Sequence, residues 1–273
     1  MAEEKVRIAG VQMDVQIGDV EGNIARLVTR WRAAAEAGAK LVVFPECAVS
    51  GYCFQSLDEA RPFGLTLDSE QLGQLTRVAR DLQSHVIFGF LEPDGERLYN
   101  SAVCLGPSGV VARYRKIHLP FLGVDRFTTP GSELSVFTLP GHDLRIGMNI
   151  CYDCSFPESA RVLMLRGADL LVLPTNWPPT AGLTADVIPN ARSLENNLYV
   201  MSVNRVGQER GFTFVGKSKL CNPGGGTLAF ANHADEATIF GEIVPAWARR
   251  KHLVNIPGQH EVHRLKDRRQ IGR

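Results

Sequence analysis

Short apolar runs recur along this chain and alternate with segments whose apolar residues return every three or four positions. That alternation limits the folds open to it. The richest runs, residues 41–45 and 170–174, are only five long, far short of the about 18 residues a membrane span needs. They predict buried strands. Strands are expected over residues 6–13, 41–44, 86–91, 98–105, 110–114, 144–150, 170–173 and 199–203, and helices over 23–37, 69–83, 157–166 and 185–196. Gly106-Pro107-Ser108-Gly109 reads as a hairpin turn. The final third holds hairpin-like segments over 214–220, 227–231 and 238–244, and the tail from Arg249 is basic and irregular. Two strand layers flanked by helices suit this pattern better than one doubly wound sheet, because the second half has too many hairpin turns for purely parallel crossovers.

Charge narrows the partners. Thirty basic and 29 acidic residues leave a net charge of +1, and 44% of the chain is hydrophobic. A disordered chain would be less apolar and more charged, and a nucleic-acid binder would carry a basic excess. Neither a nucleic acid nor a membrane is an expected partner. Residues 1–5 run into the first strand with no apolar signal region, so the cytosol is the expected compartment. At 273 residues, one domain is expected over 1–273, with about 249–273 as an arm that packs on a partner subunit or frays.

Six cysteines, at 47, 53, 104, 151, 154 and 221, are read as reduced thiols, since a chain of this length needs no disulfide staples. Cys151 and Cys154 form a C-x-x-C, open to a zinc or redox reading, but no second pair stands at zinc-site spacing. His252, His260 and His263 lie in the tail without companion carboxylates on a rigid element, and no metal or cofactor is expected. Gly224-Gly225-Gly226 lacks the strand-to-helix setting of a phosphate loop and reads as a turn.

Three polar residues sit where strands end, which is where layered α/β folds hold reacting groups. Glu46 closes an apolar strand, a setting whose low dielectric raises a carboxyl pKa toward neutrality. Lys116 leaves another, where a fixed ammonium can stabilise a developing oxyanion. Cys151 is delivered by the 144–150 strand to a sharp turn before a helix, among backbone N–H groups that favour a thiolate.

In the order Glu46, Lys116, Cys151, separated by 70 and 35 residues, these resemble the triad of the nitrilase superfamily of carbon–nitrogen hydrolases. The resemblance runs nearly end to end. It takes in Ile8-Ala9-Gly10-Val11-Gln12-Met13, Phe44-Pro45-Glu46 with Ser50-Gly51-Tyr52, and Tyr114-Arg115-Lys116-Ile117-His118-Leu119. It continues through Pro130-Gly131, Ile150-Cys151-Tyr152-Asp153 with Phe156-Pro157-Glu158, Ala191-Arg192 with Glu195-Asn196, Val203-Asn204-Arg205, and Asp267-Arg268-Arg269.

The resemblance implies a four-layer α-β-β-α sandwich and a homodimer or larger homo-oligomer. It implies Cys151 as nucleophile, Glu46 as general base and Lys116 as the cation facing the tetrahedral intermediate, with the Tyr152 N–H as a second oxyanion donor. A second carboxylate is expected after the lysine; Asp125 is the nearest candidate and Glu133 the weaker alternative. Tyr52 is expected beside Glu46, and Asn176 and Trp177 at the rim near Cys151, Trp177 equally readable as a core aromatic. Members that cleave nitriles follow the nucleophile with Trp-Glu, whereas this chain has Tyr152-Asp153. The expected reaction is therefore hydrolysis of a small linear amide to acid and ammonia through a thioester. N-carbamoyl amino acids or amines are the alternative substrates, and nitrile cleavage or a zinc or redox site at Cys151 and Cys154 are more distant readings.

Overall fold

The apolar runs become the strands of two six-stranded mixed sheets, as a computed structural model describing residues 3–269 records. In the first sheet β1 (Val6–Gln12), β2 (Leu41–Val43) and β3 (His85–Asp94) run parallel, linked by α1 (Val20–Glu36), the single turn α2 (Leu57–Ala60) and α3 (Glu70–Leu82). β4 (Arg97–Gly106) and β5 (Gly109–Arg115) continue it antiparallel, the second hairpin turning where Gly106-Pro107-Ser108-Gly109 predicted. The second sheet repeats the plan. β6 (Val136–Thr138) pairs antiparallel with β7 (Arg145–Met148), which lies parallel to β8 (Leu170–Thr175) and β9 (Tyr199–Asn204). α4 (Pro157–Leu165) and α5 (Gly182–Asn196) make the crossovers.

The short pair β10 (Gln208–Glu209) and β11 (Phe212–Thr213) stands apart, and β12 (Lys219–Cys221) and β13 (Thr227–Phe230) complete the second sheet. Here the structure departs from the sequence reading in two places. Residues 214–218 are not strand, and β14 (Ala237–Ile243) forms no hairpin with β13. Instead β14 returns to the first sheet and pairs along all of β1, from Val6 opposite Ile243 to Gln12 opposite Ala237. Alternation shows that a segment is a strand but not which edge it completes.

The inner faces of the two sheets pack directly on each other. Ile8, Val43, Ile87 and Ala102 from one meet Ile146, Val172, Met201 and Val203 from the other in one buried cluster. Contact is close enough that a Cβ on Gly10 would fall 2.9 Å from Val203 Cγ2. On the outer faces, α1 and α3 bring Leu27, Trp31, Leu72 and Leu75 against Val42, Val86 and Phe88, and α4 brings Leu163 and Met164 against Leu171 and Val200. The result is a four-layer α-β-β-α sandwich. Helix α1 begins earlier than its apolar spacing suggested, because the Asp19 side chain accepts the Gly22 N–H and caps it.

After α6 (Pro245–Arg249) the tail is not irregular. β15 (His252–Ile256) and β16 (His260–His263) form a hairpin with Leu253, Val254, Ile256 and Val262 exposed, and the last four residues of the expected arm lie outside the described residues. No described helix is long and apolar enough to cross a membrane.

Candidate active site

The seam between the sheets gathers the polar strand ends. Glu46 follows β2, Lys116 follows β5, and Asp125 sits on a 3-10 turn over Gly123–Arg126. Cys151 follows β7 and opens a second 3-10 turn over Cys151–Ser155. All four side chains are buried. Lys116 Nζ donates to Glu46 Oε1 at 2.8 Å and to Asp125 Oδ2 at 2.5 Å. Asn100 Nδ2 donates to the same Glu46 oxygen at 2.7 Å and to Asp125 Oδ1 at 2.8 Å. Tyr52, expected near Glu46, feels that carboxylate's charge and donates its hydroxyl to Asp125 Oδ2 at 2.8 Å. The second carboxylate in this cluster is thus Asp125, while Glu133 is exposed on the rim of a surface cleft with Arg113 and Arg115. Glu46 Oε2 is buried with no hydrogen-bond partner among the described residues.

Burial dominates the electrostatics. It lifts the Glu46 carboxyl above its ordinary range against the pull of Lys116, with the Asp125 charge adding to the rise. Lys116 itself would be pushed down by burial, but Asp125 and Glu46 more than offset this and hold it firmly protonated. The Cys151 thiol departs from the sequence expectation. Burial, and after it the Glu46 charge, drive its pKa well up, although Lys116 and a hydrogen bond from the Asn176 backbone N–H oppose them. The thiol is therefore neutral at rest, and forming the thiolate requires a base at the moment of reaction.

The chain around these groups is locally strained and heavily pinned. Cys47, next to Glu46, and Cys151 both adopt left-handed backbone, at φ 48° and 45°, a region that costs a non-glycine residue on the order of 1 kcal/mol. At the first turn β3 contributes Gly89, whose absent side chain gives the Glu46 backbone room; a Cβ there would lie 2.6 Å from Glu46 Cα. The second turn is held by Asp153. Its carboxylate accepts the Ile150 N–H at 2.9 Å, the Tyr114 hydroxyl at 2.7 Å and the His118 N–H at 3.0 Å, with His118 Nδ1 2.7 Å away. Asn204 Oδ1 accepts the Thr175 hydroxyl and the Trp177 N–H, both at 2.8 Å, which orders the loop beyond β8. Arg205 pairs with Glu209 at 2.5 Å, and Glu209 accepts the Tyr52 N–H at 2.9 Å.

The remaining candidates separate. Asn176 is buried, and its side-chain amide has no partner among the described residues. Trp177 is buried in the inter-sheet cluster together with Cys151. The Tyr152 ring is exposed, edge-on to Phe156 at 5.2 Å. Cys154 is buried, its thiol lifted to about 12 chiefly by burial, and all six cysteines are free. Among the described residues no group of three or more His, Cys, Asp or Glu side chains is arranged to hold a metal ion; His252 and His263 stack across the tail hairpin at 5.2 Å. Gly224 and Gly226 donate to Asn222 Oδ1 in the turn between β12 and β13. The sequence reading passed over Asn100 and the anchoring role of Asp153. A hint for the first was an asparagine inside the apolar strand Leu98-Tyr99-Asn100-Ser101-Ala102-Val103.

A carbon–nitrogen hydrolase family model matches residues 7–251. The chain belongs to that family. As a nitrilase-superfamily carbon–nitrogen hydrolase it acts on bonds other than peptide bonds. It is 38% identical over 253 residues to a protein of Pyrococcus abyssi named nitrilase, covering 91% of this chain and 93% of the relative. It is 32% identical over 250 residues to human omega-amidase NIT2, covering 87% and 88%. Among solved structures, Nit3 of Saccharomyces cerevisiae superposes with a TM-score of 0.82 at 24% identity, over 94% of this chain and 96% of that one. An amidase mutant from Nesterenkonia sp. AN1 gives 0.77 at 24% identity, over 89% and 93%. At that identity the two structures speak for the fold of this carbon–nitrogen hydrolase and not for its substrate.

Proposed function

We propose that this hydrolase is a cysteine-dependent amidase that converts a small linear amide and water to a carboxylic acid and ammonia through a thioester. One observation carries the reading. Glu46 spends Oε1 on Lys116 and Asn100 and keeps Oε2 without a partner among the described residues, and its charge acts on the Cys151 thiol, whose pKa burial drives well up. A buried carboxylate of raised pKa is suited to take that proton. The thiolate then attacks the amide carbon, and the oxyanion that forms is met by the Lys116 ammonium and the Tyr152 N–H. Glu46 passes the proton to the departing nitrogen, which leaves as ammonia, then takes one from the water that cleaves the thioester and returns it to the released sulfur. Every atom is accounted for by one water per amide.

A name such as omega-amidase on a relative 32% identical supports amide cleavage. The name nitrilase on the 38% relative is the specific reason to keep nitriles as a second reading. Ammonia release from short aliphatic amides, N-carbamoyl amino acids and nitriles, each with the protein and with Cys151→Ala, decides among them. Amides are expected to be turned over and the variant to be inactive; unchanged release by Cys151→Ala overturns the mechanism. We infer further that the enzyme is a homo-oligomer, supported by the apolar side chains on the outer face of α5 and on the tail hairpin.

A further inference from the structure

Asn100 handles no proton in the mechanism above, yet it hydrogen-bonds both carboxylates and the Lys116 backbone. It lies inside β4, wholly buried. Its two amide hydrogens go to different carboxylates, one to Glu46 Oε1 at 2.7 Å and one to Asp125 Oδ1 at 2.8 Å. Its backbone carbonyl accepts the Lys116 N–H at 2.8 Å. Its Oδ1 faces only the Cys47 thiol, at 3.8 Å. The opposite amide orientation would aim that oxygen at two carboxylate oxygens, so the surroundings select the observed one.

We propose that Asn100 is a positioning residue of this hydrolase, a neutral bridge that keeps Glu46 and Asp125 apart as separate anions and turns the free oxygen of Glu46 toward the thiol. The charge count shows the need. Two buried carboxylates face a single ammonium, and two acids in that situation tend to share a proton. Around Glu46 the charged and titratable groups are Lys116 beyond β5, Asp125 on its 3-10 turn, Cys151 beyond β7 and the neighbouring Cys47, with Tyr52 behind Asp125. Lys116 can give each carboxylate one hydrogen bond. Asn100 gives each a second without adding charge, and a donor to the ionised form favours that form. With both donors on Oε1, the protonation site left on Glu46 is Oε2, the oxygen the proposed mechanism uses.

The inference rests on the amidase reading, and its test has an arm that does not. The pH dependence of kcat and KM on a turned-over amide is measured for the protein, Asn100→Leu and Asn100→Ser. So is the rate at which iodoacetamide alkylates Cys151, followed by mass spectrometry with Cys151→Ala as the blank. In Asn100→Leu the acid limb is expected to move up by about one pH unit and kcat to fall at least tenfold with KM nearly unchanged, the alkylation profile moving the same way. Asn100→Ser, with one hydroxyl donor, is expected to fall between. A merely structural role lowers activity at every pH without moving the limb, and that result in either variant overturns the proposal. Should no amide be turned over, the amidase reading fails while the alkylation profile still decides the role of Asn100. Should Asn100→Leu not fold, Asn100→Ser carries the comparison.

Discussion

Single residues in this molecule are defined by what burial does to their protons. Burial raises the pKa of both Glu46 and Cys151, which makes the Glu46 carboxylate a stronger base and leaves the thiol in need of one. His85 shows the same pressure away from the site. It is buried at the start of β3, neither ring nitrogen has a hydrogen-bond partner among the described residues, and burial holds its pKa below the ordinary histidine value. The unfolded chain therefore binds the proton more readily. Stability is full above about pH 6.5, the unfolded value, and is lost as the pH falls below it. Urea unfolding at pH 7.5 and 5.5 should show the loss, and His85→Leu should reduce it; an equal loss in the variant would assign it to other groups. Glu46, Lys116 and Cys151 each stand at a strand end, a weak signal alone, and it is the resemblance in their order and spacing that singles them out in the sequence. Asn100 was not legible, because a polar residue within a strand reads as an interruption until its partners, one of them 54 residues away, are known.

At the scale of elements, turns carry the function and strands carry the turns. The Cys151 turn depends on Asp153, whose carboxylate ties it to β5 through Tyr114 and to the segment beyond β5 through His118. Asp153→Ala would leave the Ile150 N–H and the Tyr114 hydroxyl buried without an acceptor. At about 1–3 kcal/mol for each orphaned group, a loss of about 2–6 kcal/mol in unfolding free energy is expected. A loss under about 1 kcal/mol by urea titration would contradict the role given to Asp153. The Tyr152-Asp153 pair had been read as a mark of substrate preference; in the structure Asp153 is a brace. Elements were largely legible through periodicity and Gly-Pro turns. The return of β14 to β1 and the tail hairpin were not, because strand pairing is settled by long-range contacts that no local pattern records.

For the whole molecule, two sheets of one plan close on a shared inner core, and two apolar surfaces remain outside it. On α5, Leu183, Val187 and Leu194 are exposed; β13 adds Leu228 and Phe230, and Gly225 packs against Leu194. The β15–β16 hairpin is the second surface, and a lone two-stranded hairpin has little stability in water. Contiguous apolar patches of this kind mark association surfaces. Light scattering is expected to report a dimer or larger species, and Leu194→Lys with Phe230→Lys to lower the mass; a monomer for the unaltered protein would contradict the assembly. One consequence of the seam between the sheets concerns folding. The thiol comes from the second sheet and the ammonium and carboxylates from the side of the first, and the Cys151 turn is pinned across the seam by Tyr114 and His118. In a partly folded chain Cys151 therefore stands apart from Lys116, Glu46 and Asp125, and the cluster exists only once both sheets have packed together.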